Sequence, residues 1–290
     1  MSPSYDTSSM NESTTLAPAS HQDRRSRCVI CDGTVTHFDD ALILGDVPVA
    51  YFRCPACGFI QTQQPTWLDR AYATAITDQD LGLVARNMEM ADLTEAVVRL
   101  CLDPRGAFLD HGGGYGMLVR LMRDRGLDFR LHDPLCRNLF AGPARVHTPD
   151  ERRWNLVTAF EVLEHLVDPA AAVRQLLECS DTLLVSTRLL PEPAPRVKAW
   201  DYFGPEHGQH ISLFSLRSLQ CLADRCGARL ISNGVHVHII TRAQVPDWRI
   251  RMAMGRWGRR LARRHRRIVR LPSLTGADAS AIGTSGRASA

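Results

Sequence analysis

The run His111-Gly112-Gly113-Gly114-Tyr115-Gly116 constrains the fold of this chain more than any other feature, because of what flanks it. Before it stands the short apolar run Ala107-Phe108-Leu109-Asp110; after it comes MLVRLMRDRG, whose residues favour a helix. Strand, glycine turn and helix follow in the order that a nucleotide site in an open α/β sheet requires. Glycine has no Cβ, so the turn can take positive φ and let a ligand approach the backbone, and the free N–H groups opening the helix favour an anion. A dinucleotide fingerprint GxGxxG would need Gly or Ala at 117 or 119; Met117 and Val119 stand there, which excludes that class. What remains is Asp110-x-Gly112-x-Gly114-x-Gly116, with a glycine turn that binds nothing as the plain alternative.

From about residue 83 the sequence alternates helix and strand as a doubly wound sheet does. A helical run near 83–102 precedes the first strand, Phe129-Arg130-Leu131-His132-Asp133 forms the next, and residues 154–168, WNLVTAFEVLEHLVD, read as a buried strand entering a loop. Thr182–Ser186, a helix over Ser215–Cys226, and strands around Leu230-Ile231 and Val235–Ile240 complete the order. Asp133 lies 17 residues after Gly116, about where such a sheet places the carboxylate that accepts ribose hydroxyls. Pro134 ends its strand, and a bare Asp-Pro turn is the alternative.

The glycine pattern is similar to motif I of class I methyltransferases. Glu161-Val162-Leu163-Glu164-His165 resembles the matching segment of the ubiquinone O-methyltransferase group, where Asn155 is usually Asp. The resemblance covers roughly residues 83–242 and implies a Rossmann-like class I methyltransferase fold, a seven-stranded, mostly parallel sheet that binds S-adenosylmethionine, in a domain expected to span residues 63–245. It implies that Asp110 holds the amine of that cofactor, that Gly112, Gly114 and Gly116 wrap its amino-acid end, that Asp133 takes the ribose, and that Glu161 lines the pocket.

Methyl transfer from a sulfonium needs alignment, and a base where the nucleophile carries a proton. The candidates expected at the carboxyl ends of the strands are Glu161, Glu164 and His165, and the later stretch Tyr202–His210. His210 is the preferred base, since imidazole titrates near neutrality; His207 comes second and His165 is a further candidate, each with a purely structural histidine as the alternative. Glu161, Glu164, His165 and a downstream histidine are also similar to the metal-binding set of small-RNA 2′-O-methyltransferases, in which a divalent ion activates the hydroxyl. A metal-free site, with Glu164 and His165 fixing a loop, is the preferred reading. Leu189–Pro195 suits a loop over the pocket, and Trp200, Tyr202 and Phe203 either wall the acceptor or join the core.

Cys28-x-x-Cys31 and Cys54-x-x-Cys57 lie 22 residues apart, a spacing close to that of zinc ribbons. Four thiolates fill a tetrahedral ion's coordination sphere, so the metal, zinc, is expected to be structural. A redox CxxC is the alternative. The other cysteines, Cys101, Cys136, Cys179, Cys221 and Cys226, are scattered through helix-like or apolar sequence and read as small buried hydrophobes. The stretch from Cys28 to Gln63 resembles the N-terminal zinc-binding region of sugar C-methyltransferases, which carry a Leu-Gly-x-x-Pro element between the pairs, here Leu44–Pro48, and a Gln after the last pair, here Gln61 or Gln63. Those enzymes continue into a further C-terminal domain, which is not expected in this sequence. The expected zinc-ribbon-like module spans residues 28–62.

Residues 1–27 are rich in Ser, Thr and Pro and are expected to be disordered. With no secretory signal and no apolar run of the roughly eighteen residues a spanning helix needs, the expected location is the cytoplasm. Residues 249–270 hold ten arginines and no acid; without them 25 basic groups face 31 acidic ones, a net charge of −6. The segment 246–290 is expected to form an arginine-rich helix and, after about residue 272, a disordered tail. Ile250, Met254, Trp257 and Leu261 recur at helical spacing. Packing on the chain's own domain is preferred for this stripe over an anionic membrane surface or nucleic-acid phosphate. The functional expectation is a methyltransferase for a small-molecule or glycan acceptor. An RNA methyltransferase is the second reading, and a zinc-bearing binding module that has lost catalysis is the third.

Overall fold

In the computed structural model, which describes residues 26–73 and 81–287, the helix and strand alternation becomes one six-stranded sheet with helices on both faces. In chain order the elements are β1 (Thr36–Ile43), β2 (Val47–Arg53), β3 (Ile60–Thr62), α1 (Leu68–Ala71), α2 (Leu83–Cys101), β4 (Ala107–His111), α3 (Met117–Asp124), β5 (Asp128–His132), β6 (Leu156–Phe160), α4 (Pro169–Cys179), β7 (Thr182–Ser186), β8 (Ser212–Leu213), α5 (Leu216–Arg225), β9 (Arg229–Ser232), β10 (Val237–Thr241), α6 (Asp247–Met254), α7 (Arg256–Ile268) and α8 (Thr275–Arg287). The main sheet runs β5-β4-β6-β7-β10-β9, with β5, β4, β6 and β7 parallel and β10 antiparallel to both its neighbours.

Its central strands read as continuous apolar runs because both faces are covered, and successive side chains go to opposite cores. Leu109, Val157, Leu183 and Val185 join α4 and α5 on one face, while Phe108, Leu156 and Leu184 join α2, α3 and α6 on the other. The expected count of seven strands is corrected to six among the described residues. Where a strand would flank β5 there is an isolated bridge from Leu131 to Arg145, held by Leu131 N–H to Ala144 O (2.7 Å) and Val146 N–H to Leu131 O (2.9 Å). Pro143 and Pro149 bracket this segment and have no N–H for a ladder, so the pairing stops there.

A second sheet, ordered β1-β2-β3-β8, belongs to the cysteine segment. Its last strand comes from far along the chain: Ile60 pairs with Leu213 and Gln61 with Ser212. The segment 28–62 is therefore built into the main domain. One face of its sheet shares a core with the segment before β8, through Ile43, Tyr51, Ile60, Trp67, Phe203, Ile211 and Leu213.

The expected disorder of residues 1–25 lies outside the described residues, whereas Ser26 accepts from Val35 N–H and Arg27 bridges to Thr34. The tail departs from expectation in two ways. The arginine helix breaks at Gly255, so the stripe divides: Ile250 is buried, but Trp257 is 73% exposed. Gly258 and Ala262 form the buried side of α7 instead. Residues 275–287, expected to be disordered, form α8, because Asp278 is buried between the α3 guanidinium groups of Arg120 (2.9 Å) and Arg123 (2.6 Å). Among the described residues no helix is long and apolar enough to cross a membrane.

Candidate active site

The glycine turn leaves the end of β4 with Gly112, Gly114 and Gly116 at φ +67°, +58° and +84°, the left-handed region that disfavours any side chain. Gly112 donates its N–H to His132 O (2.8 Å), and a Cβ there would stand 2.7 Å from Val162 Cγ2. Gly116 immediately precedes α3, whose first-turn N–H groups have no acceptor within the helix. Gly113 was not singled out by the spacing, yet its Cβ would lie 2.2 Å from Asp110 Oδ2.

Both expected acids are tied into this turn. Asp110 is buried and accepts from Thr158 Oγ1 (2.7 Å), and burial pushes its carboxyl up to about 7. Asp133 follows β5 and accepts three backbone N–H groups, from Leu135 and Cys136 at Oδ1 (2.8 and 2.7 Å) and from Gly114 at Oδ2 (2.8 Å). It locks the glycine turn to the next strand. A stacked pair, His111 and His132, lies between these acids with ring centroids 5.0 Å apart; burial pulls His111 down to about 4, so it is neutral.

Across Val162 the chain builds a second cluster. Glu161 follows β6 at φ +53°, uncommon for a residue with a side chain, and is held by Ser186 at the end of β7: the Ser186 hydroxyl donates to Glu161 Oε1 (2.6 Å). Tyr202 Oη lies within hydrogen-bond distance of both Glu161 Oε2 and Glu164 Oε1. One hydroxyl carries one proton, so it cannot donate to two carboxylates at once. Burial first, and the neighbouring Glu161 second, raise Glu164 well above the usual carboxylate range. Burial thus favours the protonated form of Glu164, in which it would donate to Tyr202 Oη and leave the Tyr202 hydroxyl for Glu161. Its Oε2 has no hydrogen-bond partner among the described residues.

The three expected histidines meet here. His165 and His207 each approach His210 edge-on, with ring centroids 4.8 Å away. His210 Nδ1 donates to Tyr202 O (2.5 Å), which leaves Nε2 with a free lone pair, and burial draws the ring down to about 4. His165 Nδ1 pairs with Tyr72 Oη (2.9 Å), and burial with the neighbouring histidines keeps His165 neutral. Ligand atoms of Glu164, His165 and His210 lie within 4.8 Å of one another, close enough to hold a metal ion. Phe203 and Tyr202 belong to the core and Trp200 packs against it, while the Arg188 guanidinium lies over the Trp200 and Tyr202 rings, 5.3 and 5.1 Å from their centroids. Sequence reading missed Tyr72, Ser186 and Arg188, since nothing in their spacing marks them.

The segment carrying His207 and His210 is held from the cysteine side. Leu44 N–H donates to Pro205 O (2.9 Å), Trp67 Nε1 to Gly208 O (2.8 Å), and Gln209 Nε2 to Ala71 O (2.8 Å). Gly208, at φ +65°, packs so closely that a Cβ would be 2.3 Å from Ile43 Cγ2. The thiols of Cys28, Cys31, Cys54 and Cys57 converge within 4.8 Å; Cys28 and Cys57 stand 3.6 Å apart, Cys31 and Cys54 3.4 Å. The close sulfur of Cys57 holds the Cys28 thiol below its ordinary range.

This geometry defines an open α/β sheet with a left-handed glycine turn and a titratable cluster at the carboxyl ends of β4, β6 and β7. A family model described as a methyltransferase domain matches residues 84–233, which is 150 of the 290 residues, and the chain belongs to that family. No match was found among curated proteins. Among solved structures the chain is similar to CalO1, a methyltransferase in calicheamicin biosynthesis, in its SAH-bound form (16% identity, TM-score 0.40, 61% of each chain covered). It is also similar to the mitomycin 7-O-methyltransferase MmcR (18%, 0.39, 62% of this chain and 61% of that one). A third is magnesium protoporphyrin IX methyltransferase from Synechocystis PCC 6803 with bound SAM (14%, 0.35, 61% and 92%). The chain spans about three fifths of the length of the first two of these.

Proposed function

We propose that this chain transfers a methyl group from S-adenosylmethionine to a small-molecule or glycan acceptor, with His210 as the general base. One observation carries the reading: the left-handed glycine turn and the His210 cluster abut across Val162 at the carboxyl ends of parallel strands, where open sheets bind ligands. The residues fit the cofactor, because the turn accepts no Cβ at Gly112 or Gly116 and α3 opens directly behind it. When bound, S-adenosylmethionine supplies an activated methyl group that needs alignment more than chemical assistance.

Gly112, Gly114, Gly116 and the start of α3 hold the amino-acid end, and Asp133 keeps the turn in shape while facing the ribose. His210 Nε2 takes the proton that the acceptor loses as its new bond to carbon forms. The Nδ1 bond to Tyr202 O fixes the tautomer that makes this possible. Glu164 with its proton, Tyr202 and Glu161 hold the backbone on which His210 leans, since Tyr202 contributes both its hydroxyl to the acids and its carbonyl to the histidine.

The four cysteines fit zinc. A tetrahedral ion with bonds of about 2.3 Å needs sulfurs about 3.8 Å apart, and the observed 3.4 and 3.6 Å separations leave little to rearrange. All four positions are filled by sulfur, so the ion is structural. Reduced thiols of this kind belong to a cytoplasmic compartment.

Calorimetry with S-adenosylhomocysteine and transfer of a labelled methyl group to fractionated cell extract test the reading together. Binding, with label in the small-molecule or glycan fraction and lost in His210→Gln, is expected. Failure to bind overturns the enzymatic assignment, and label in RNA overturns the acceptor class. Metal analysis should find one zinc per chain, falling in Cys54→Ser.

A further inference from the structure

The arginines of α7 form two ranks with different fates. Arg259, Arg263 and Arg266 face α2 and pair with Glu89 (3.3 Å), Asp92 (2.5 Å) and Glu95 (2.6 Å), so a row of bases meets a row of acids at matched helical spacing. Arg256, Arg260, Arg264 and Arg267 recur at spacings of four, four and three on another side, and none of them makes an ion pair among the described residues. At 100° per residue, Trp257, Leu261 and Ile268 form a stripe directly beside that second rank. They are 73%, 43% and 72% exposed, and the Arg260 guanidinium lies 5.1 Å from the Trp257 ring centroid. The inward side of α7 is already settled, Gly258 close against Met252 and Ala253 of α6 with Ala262 buried beside it, and the paired arginines on α2, so the outward face has no work inside the fold.

We propose that the outward face of α7 rests on the surface of an anionic lipid bilayer, the unpaired arginines on headgroup phosphates and Trp257, Leu261 and Ile268 at the headgroup and acyl boundary. Charge favours this occupant over a second copy of the chain, which would bring an identical cationic rank into contact. Nucleic acid offers phosphate but no apolar phase for three large exposed side chains. The body without residues 249–270 carries 31 acids against 25 bases, so the excess positive charge that an anionic surface attracts is concentrated in this segment. Docking then fixes the orientation of the whole domain.

Co-sedimentation of the full chain with phosphatidylcholine vesicles, with and without phosphatidylglycerol, tests this. Four basic groups at an anionic surface, each a factor of roughly five, predict binding on the order of a hundredfold or more tighter to anionic vesicles, weakening steeply with salt. Trp257→Ser with Leu261→Ser should reduce binding, and Arg256, Arg260, Arg264 and Arg267→Gln should abolish the lipid selectivity. All these positions point to solvent, and unchanged circular dichroism and melting will show that the fold is retained. Equal binding to neutral vesicles, no binding to either, retention by RNA but not lipid, or a dimer lost in Trp257→Ser would each overturn the proposal.

Discussion

Replacing Gly112 by alanine tests whether the glycine turn and the Glu161–His165 segment act as one unit. At φ +67° any side chain costs about 1–2 kcal/mol of backbone strain. The new Cβ would also stand 2.7 Å from Val162 Cγ2, and the turn cannot simply retreat, because Gly112 N–H is bonded to His132 O. Overpacking of this kind costs a further 1–3 kcal/mol, roughly, so Gly112→Ala should destabilise the protein by about 2–5 kcal/mol. Val162→Ala removes the offending methyl and leaves Val162 Cβ as the nearest neighbour at 3.7 Å, an ordinary contact. The double variant should therefore recover the overlap cost but not the strain. In a double-mutant cycle by urea denaturation, the coupling should be about 1–3 kcal/mol in favour of the pair, and S-adenosylhomocysteine affinity should fall in the single variant and return in part in the double. Additivity within about 0.5 kcal/mol would refute contact between the two segments and, with it, a site assembled across Val162.

Glu164→Gln keeps the shape and neutrality of the protonated acid, so stability should change by less than about 1 kcal/mol and addition of Mg²⁺ or Mn²⁺ should leave the wild-type rate unchanged; metal-dependent activity lost in this variant would show that a cation replaces the proton. Burial draws His210 down to about 4, away from the near-neutral titration that recommended it, so it is a weaker base but keeps its lone pair free at neutral pH; methyl transfer should be insensitive to it above pH 5 and fall below pH 4, an acid limb that His210→Gln removes along with most of the rate. His238 is fully buried between Ser232 and Thr187, and burial moves it from 6.5 to about 4. Between those values the unfolded chain binds a proton that the folded one refuses. Stability should be full above pH 6.5 and drop by about 3 kcal/mol from this residue alone on acidification to pH 4, which melting curves of wild type and His238→Gln will compare. Glu95→Ala leaves the buried Arg99 guanidinium, 2.7 Å away, without its closest partner and should cost about 3–5 kcal/mol by denaturation.

The glycines at 112, 114 and 116 are legible in the sequence because a left-handed backbone restricts the residue type. Gly113 is not, since its need for a missing Cβ arises only when Asp110 and Leu131 fold over it. The His111 and His132 pair is likewise invisible until β4 and β5 register side by side. Glu161 hides its left-handed conformation behind a residue type that gives no sign of it. In the tail, a hydrophobic period counted across Gly255 spans a helix break, and two helices do not share one face. A better signal was present: Glu89, Asp92 and Glu95 recur at three-residue spacing and match the arginines at 259, 263 and 266. Asp278 stands alone among small residues, and only the basic pocket of α3 reveals why the chain orders around it.

The cysteine segment and the histidine loop each lack something that the other provides. The 25 residues between Ser186 and Ser212 contain no strand or α-helix, only short turns at 197–199 and 201–203, and so do not by themselves fix the positions of His207 and His210. The segment from Cys28 to Thr62 contributes three strands, too few to bury a core alone. Pairing β3 with β8 meets both needs at once. The strand that follows His210 closes the small sheet, while Leu44, Trp67 and Ala71 bind the loop at Pro205, Gly208 and Gln209. The Ser215 hydroxyl, which caps α5, also donates to Cys57 O (2.7 Å), so the second cysteine turn is joined to a helix of the main domain. A tetrahedral ion on the thiols would stiffen this assembly. On the proposed reading, the four cysteines would act on His207 and His210 only through the backbone they anchor, at β3, β8 and the Leu44–Pro205 contact.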